Sequence, residues 1–101
     1  MANIDLSALT MKQRSGSASI DGTLANNKIT LPGWVAEVHL YLADAGGDGT
    51  FTLTDPTATG QPLPANTYVK VWQRQGTNPQ QTKSLWAASN SGSQTLHYLL
   101  F

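Results

Sequence analysis

The stretch Trp34-Val35-Ala36-Glu37-Val38-His39-Leu40-Tyr41-Leu42 constrains this chain more than any other. Ala36, Val38, Leu40 and Leu42 alternate with Val35, Glu37, His39 and Tyr41. A period of two with β-branched and aromatic residues is the signature of a strand with one core face and one mixed face. Thr50-Phe51-Thr52-Leu53-Thr54 alternates more strictly still, which predicts Phe51 and Leu53 inside and three threonines outside. Tyr68-Val69-Lys70-Val71-Trp72-Gln73-Arg74 is a third such run.

The punctuation between these runs is that of an all-β chain. Asn26-Asn27 lies between Ser17–Leu24 and Lys28–Leu31 and predicts a hairpin, since Asn tolerates positive φ. Pro32-Gly33 breaks the ladder before the long strand. Asp44 to Gly49 reads as a Gly-rich loop, Thr57 to Pro64 as a Pro-rich one and Gly76 to Gln81 as a polar one. Asn90-Ser91-Gly92-Ser93 suits a hairpin joining Ser84–Ser89 to Gln94–Phe101. Six to seven short antiparallel strands predict a β-sandwich, with a small β-barrel as the alternative.

Residues 1 to 16 differ. Ile4, Leu6, Leu9 and Met11 are spaced apolar groups ahead of the polar breaker Arg14-Ser15-Gly16-Ser17, which predicts an N-terminal arm followed by one β-domain over 17–101. Ser7 to Arg14 is long enough for about two turns of helix, marginal in water without a packing partner, so helix and extended arm both stay open. A chain of 101 residues holds one core and has no room for a second domain.

Charge narrows the partners. Six basic residues balance six acidic ones, charged residues are only 12% of the chain, and Ser, Thr, Asn and Gln carry its polarity. Nucleic acid and anionic membranes need clustered Lys and Arg, so neither is expected as a partner. With no cysteine there is no disulfide, thiolate nucleophile or Cys-bound zinc. Met1 to Asp5 lacks a basic n-region and an apolar h-region, and no run of about 18 apolar residues occurs. The expectation is a soluble protein made in the cytoplasm and not Sec-exported.

No residue pattern signals catalysis. His39 and His97 lie in strands without a nucleophile motif and read as ordinary strand residues. Asp44, Asp48 and Asp55 around the Gly-rich loop could hold a weak Ca²⁺ site, but their spacing fits no EF-hand and turns alone explain them. Gly46-Gly47-Asp48-Gly49 lacks the Lys-Ser/Thr of a phosphate loop. No cofactor, no metal and no enzymatic activity are expected. Trp34 and Trp86 are expected in core corners, while Trp72, placed by alternation beside Tyr68, Lys70 and Arg74, is expected on a polar face as an interface residue. Leu96 to Phe101 is bulky on both faces, so either its strand is central or a neighbouring subunit covers one face.

Together the polar arm, the cysteine-free Thr/Asn/Gln-rich β-domain, the Pro-rich loops and the apolar terminal strand resemble the small structural proteins of tailed-bacteriophage virions, capsid decoration (cement) proteins above all. The resemblance is one of composition and layout over the whole chain and carries no functional residue with it. It implies a virion protein, oligomeric, that binds the major capsid protein or other virion subunits across lattice junctions. The arm (Ile4, Leu6, Leu9) would add a strand to a neighbour's sheet edge, and Tyr68, Trp72, Arg74, Leu99 and Phe101 would supply contact area. A tail, connector or fibre component is the alternative among virion proteins. A carbohydrate-binding or adhesion module is the alternative from another class, to be recognised by a row of aromatics on one exposed face.

Overall fold

A computed structural model describes residues 2–43, 47–57, 59–74, 84–90 and 92–101. The polar loop expected over 76–81, and Asp44 and Gly46, lie outside the described residues. The chain is all-β: two sheets pack face to face and do not close into a barrel, which is the expected sandwich. Among the described residues nine strands form it: β1 (Ala2–Asp5), β2 (Ser15–Ile20), β3 (Asn27–Thr30), β4 (Glu37–Leu42), β5 (Gly49–Thr52), β6 (Gln61–Leu63), β7 (Tyr68–Gln73), β8 (Ser84–Ala88) and β9 (Gln94–Leu100). One sheet has the order β1-β3-β8-β5-β6 and the other β2-β9-β4-β7.

Among the described strands only β5 and β6 are neighbours both in the chain and in a sheet. Every other connection crosses from one sheet to the other, and this corrects both expected hairpins. β2 pairs with β9 and β3 with β1 and β8, so Asn26-Asn27 is no hairpin turn. The link contains a short 3-10 turn over Leu24–Asn26, and Asn27 begins β3 with φ −120°. Its buried amide closes the crossing: Nδ2 donates to the carbonyls of Asp21 and Thr23, and Oδ1 accepts from the Asp21 N–H. Asn90 to Ser93 likewise joins β8 of one sheet to β9 of the other. Buried Gln94 holds that crossing, donating to the carbonyls of Ala43 and Gly47 and accepting from the Asn90 N–H. Two uncharged amides thus satisfy main-chain groups where the strands change sheets, at a lower desolvation cost than charges would carry.

The arm expected over residues 1 to 16 is built into the sandwich instead. β1 runs parallel to β3, with Ile4 opposite Ile29, and Leu6 is buried in the core. Residues 7–14 form turns rather than helix, and the Trp34 indole N–H donates to the Leu9 carbonyl. The apolar spacing that suggests a free arm here serves to close one side of the core.

The inner faces carry Ile20, Ile29, Val38, Leu40, Leu42, Leu63, Leu85, Leu96 and Leu100, all essentially inaccessible. Phe51 is inside as expected, but β5 ends at Thr52, so Leu53 is only half-buried and Thr52 is buried. The Pro-rich segment contains β6, an edge strand, which is where a sheet accommodates Pro62. Trp34 packs against the core as expected. Trp86 does not fill a core corner: it stands between Lys28 and Thr52, on the side of its sheet opposite the inward-facing Leu85 and Ala87.

Candidate functional site

The outward face of the four-stranded sheet follows from strand register. Ser17, His97, Tyr41 and Tyr68 form one rung across all four strands, and Ser15, Leu99, His39 and Lys70 form the next. Leu40, between His39 and Tyr41, and Leu96 and Leu100, on either side of the His97 to Leu99 stretch, are core, so these rungs point away from it. Phe101, just beyond β9, closes the patch.

The rings on this face touch one another. Tyr41 lies 5.0 Å from Tyr68 at a 48° tilt and 5.7 Å from His97 at 75°. His39 meets Phe101 edge-on at 5.0 Å. Such cross-strand aromatic contacts hold one another's rotamers, each contributing about 0.5–1.5 kcal/mol beyond area burial. The patch is nonetheless open: Tyr68 is 48% and Phe101 46% exposed, while Tyr41, His97 and Leu99 are half-buried. Phe101 is held in position by its main chain, donating its N–H to the Glu37 carbonyl and accepting from the N–H groups of Ala36 and Glu37.

Charge on this face is sparse and internally engaged. Glu37 reaches His39 Nε2 at 3.1 Å, and the Lys70 ammonium donates to Gln73 at 2.9 Å. Exposed hydroxyl residues, Ser15, Ser17 and Ser19 on β2 and Thr95 on β9, border the rings on one side, and exposed Lys70 on β7 borders them on the other. An aromatic and aliphatic centre inside a polar rim is the composition of protein recognition surfaces.

Of the residues expected at an interface, Tyr68, Leu99 and Phe101 lie on this face. Trp72 does not, and the reason is a bulge. Val38 stands opposite Trp72 but His39 stands opposite Lys70, so Val71 is an extra residue on β7. An extra residue resets the alternation, and Trp72 therefore turns inward with Val71 against the core. Arg74 folds back to donate from Nη2 to the Val35 carbonyl at 2.9 Å. Ile4 and Leu9 pack against the core and Leu6 is part of it. The residues that sequence reasoning missed are Tyr41, His39 and His97. Their signal was present in the mixed face of Glu37–Leu42 and in the two-faced bulk of Leu96–Phe101, but only register shows that the two strands are neighbours.

The other candidates resolve into local structure. Asp55 accepts from the N–H and hydroxyl of Thr57, and Asp48 accepts from the Ala65 N–H at 2.9 Å. Among the described residues no group of three or more His, Cys, Asp or Glu is placed to hold a metal ion. No helix among them is long and apolar enough to cross a membrane. Comparisons with protein-family models, curated proteins and solved structures return no match to this chain.

Proposed function

We propose that this chain is a non-enzymatic structural protein of a virion, a capsid decoration or cement module that docks on the shell through the outward face of its four-stranded sheet. The observation that carries the docking reading is the aromatic centre built from Tyr41, Tyr68, His97, His39 and Phe101, whose rings contact one another at the surface and are bordered along the β2 side by serine and threonine hydroxyls. The virion assignment rests on the resemblance in composition and layout.

Ring geometry favours a protein partner over a sugar. Stacking on a pyranose uses a flat ring presented face-on, whereas Tyr41 is tilted 48° to Tyr68 and edge-on to His97. Interlocked rings present edges and hydroxyls, which suit a contoured side-chain surface. A tail, connector or fibre subunit would use the same face, and copy number per particle separates it from a decoration protein.

The test is co-sedimentation of the purified full chain with phage capsids assembled without it. The double variant Tyr41→Ser, Tyr68→Ser is expected to stay folded and to bind at least roughly thirtyfold more weakly, the effect of losing about 2 kcal/mol at an aromatic anchor. Unaltered binding by the folded variant overturns the assignment of this face. Retention on a glycan array, with no capsid binding by the native chain, moves the function to carbohydrate recognition.

A further inference from the structure

Every sandwich has four sheet edges, and in this one they are unequal. β6 carries Pro62, which has no N–H to offer. β7 is bulged at Val71 and bears Lys70, and β1 is four residues long and ends in Asp5. Charge, proline, bulges and shortness are the devices that stop edges from pairing with other chains. β2, Ser15-Gly16-Ser17-Ala18-Ser19-Ile20, has none of them.

The hydrogen-bonding phase of β2 follows from one bond. The Leu100 N–H donates to the Arg14 carbonyl at 2.7 Å, while Ser15 stands opposite Leu99. In an antiparallel ladder this makes Ser15–Leu99 a non-hydrogen-bonded rung, so Gly16, Ala18 and Ile20 bond to β9. Ser15, Ser17 and Ser19 must then turn their N–H and C=O groups to the open side. All three residues are exposed, and among the described residues no main-chain bond meets these groups.

We infer that β2 pairs antiparallel with β2 of a second copy of this chain, about a two-fold axis through Ser17. The sequence is nearly its own reverse: a centre at Ser17 sets Ser15 against Ser19 of the second copy, Gly16 against Ala18, and Ser17 against itself. The phase agrees, because the residues of these three facing serine rungs are the ones whose main-chain groups point outward. Each rung exchanges two bonds, so every open donor and acceptor over Ser15–Ser19 is met. A partner strand of unrelated sequence would satisfy the same groups, but only self-pairing uses the reversal symmetry.

Pairing of this kind merges two four-stranded sheets into one of eight. The axis stands perpendicular to the sheet, so the aromatic patches of both copies face the same way. A dimer would then dock with two patches at once and gain avidity on a repetitive surface. The pairing itself stands apart from the identity of that surface, and its test needs no capsid.

The native chain contains no cysteine, so a single introduced thiol reports register without ambiguity. Facing residues of a hydrogen-bonded rung have Cα atoms about 5.5 Å apart, within disulfide range. Full-length Ser17→Cys is expected to form a covalent dimer under mild oxidation, whereas Ser15→Cys and Ser19→Cys cross-link only when mixed with each other. Light scattering of the native chain should give twice its 10.8 kDa. Ser17→Pro loses no bond to β9, and is expected to remain folded and fall to monomer mass. A native monomer without cross-linking of Ser17→Cys overturns the proposal, as does a dimer whose mass Ser17→Pro leaves unchanged or one in which Ser15→Cys cross-links alone.

Discussion

The two faces of the four-stranded sheet are built from similar material and meet different fates. On the inner face Val38, Leu40, Leu42, Leu96 and Leu100 are fully covered by the opposite sheet. On the outer face Tyr41, His97, Leu99, Tyr68 and Phe101 cover one another and nothing described covers them. Burial explains the first set, since each buried aliphatic contributes about 1.5–3 kcal/mol to folding. The second set is bulky without that return. A strand such as β9, large on both sides, thus has one side accounted for by its own fold and one side available to a partner.

The contrast breaks most sharply at adjacent positions of one strand. Leu40→Ala removes a side chain with no exposed surface and should cost about 2–5 kcal/mol in chemical denaturation. Asn27→Ala deletes no apolar contact but leaves the Asp21 N–H without its acceptor and takes one of two donors from the carbonyls of Asp21 and Thr23, which keep the Ser89 and Asn26 N–H groups, so a loss of about 1–3 kcal/mol is expected by the same measurement. Gly16→Val tests where the inner face meets the edge strand. A Cβ on Gly16 would overlap the Tyr98 ring, so Tyr98 must move, at about 1–3 kcal/mol as for other overpacked sites. Tyr41→Ser on the outer face loses ring contacts to Tyr68 and His97 and should cost about 1–3 kcal/mol, less than Leu40→Ala, while impairing docking. A cost equal to that of Leu40→Ala would place Tyr41 in the folding core and erase the distinction.

The smallest expected effect is on pH. Hydrogen bonds from the hydroxyl and N–H of Ser7 hold Asp5 below the ordinary aspartate range, and those of Thr57 do the same for Asp55. The Thr23 N–H, with Asn26 and Asn27, lowers Asp21. A carboxylate depressed on folding contributes stability that is present above its unfolded value and lost as pH falls through its folded one. Unfolding midpoints should therefore dip modestly below about pH 4, and substitution of all three by Asn should flatten that dip. A steeper acid loss in the substituted protein than in the native one would contradict the assignment.

How much of this was legible in the sequence depends on which quantity is asked. Alternation in Glu37–Leu42 and Phe51 predicted the core side of two strands, because side-chain direction is a local property. Pairing is not local. The links that contain Asn26 and Asn90 carry the chain to the opposite sheet where turn chemistry suggests a hairpin, and no residue type encodes that choice. Trp72 shows the same limit at finer scale: one bulge residue turned it from the outer face to the core. Tyr41, His39 and His97 were visible as strand residues, and only the register of β4 against β9 and β7 gathers them into a patch. Asn27 and Gln94 have no apolar signal at all, and their roles appear only once the crossings they close are seen.

The most direct test of the outer face as a docking surface is hydroxyl-radical footprinting of the full chain, alone and bound to capsids. Tyr68 and Phe101, the most exposed of its rings, should lose labelling on binding, while Trp86 on the far sheet keeps its own. Bound protein in which Tyr68 and Phe101 label as freely as in solution would contradict the account.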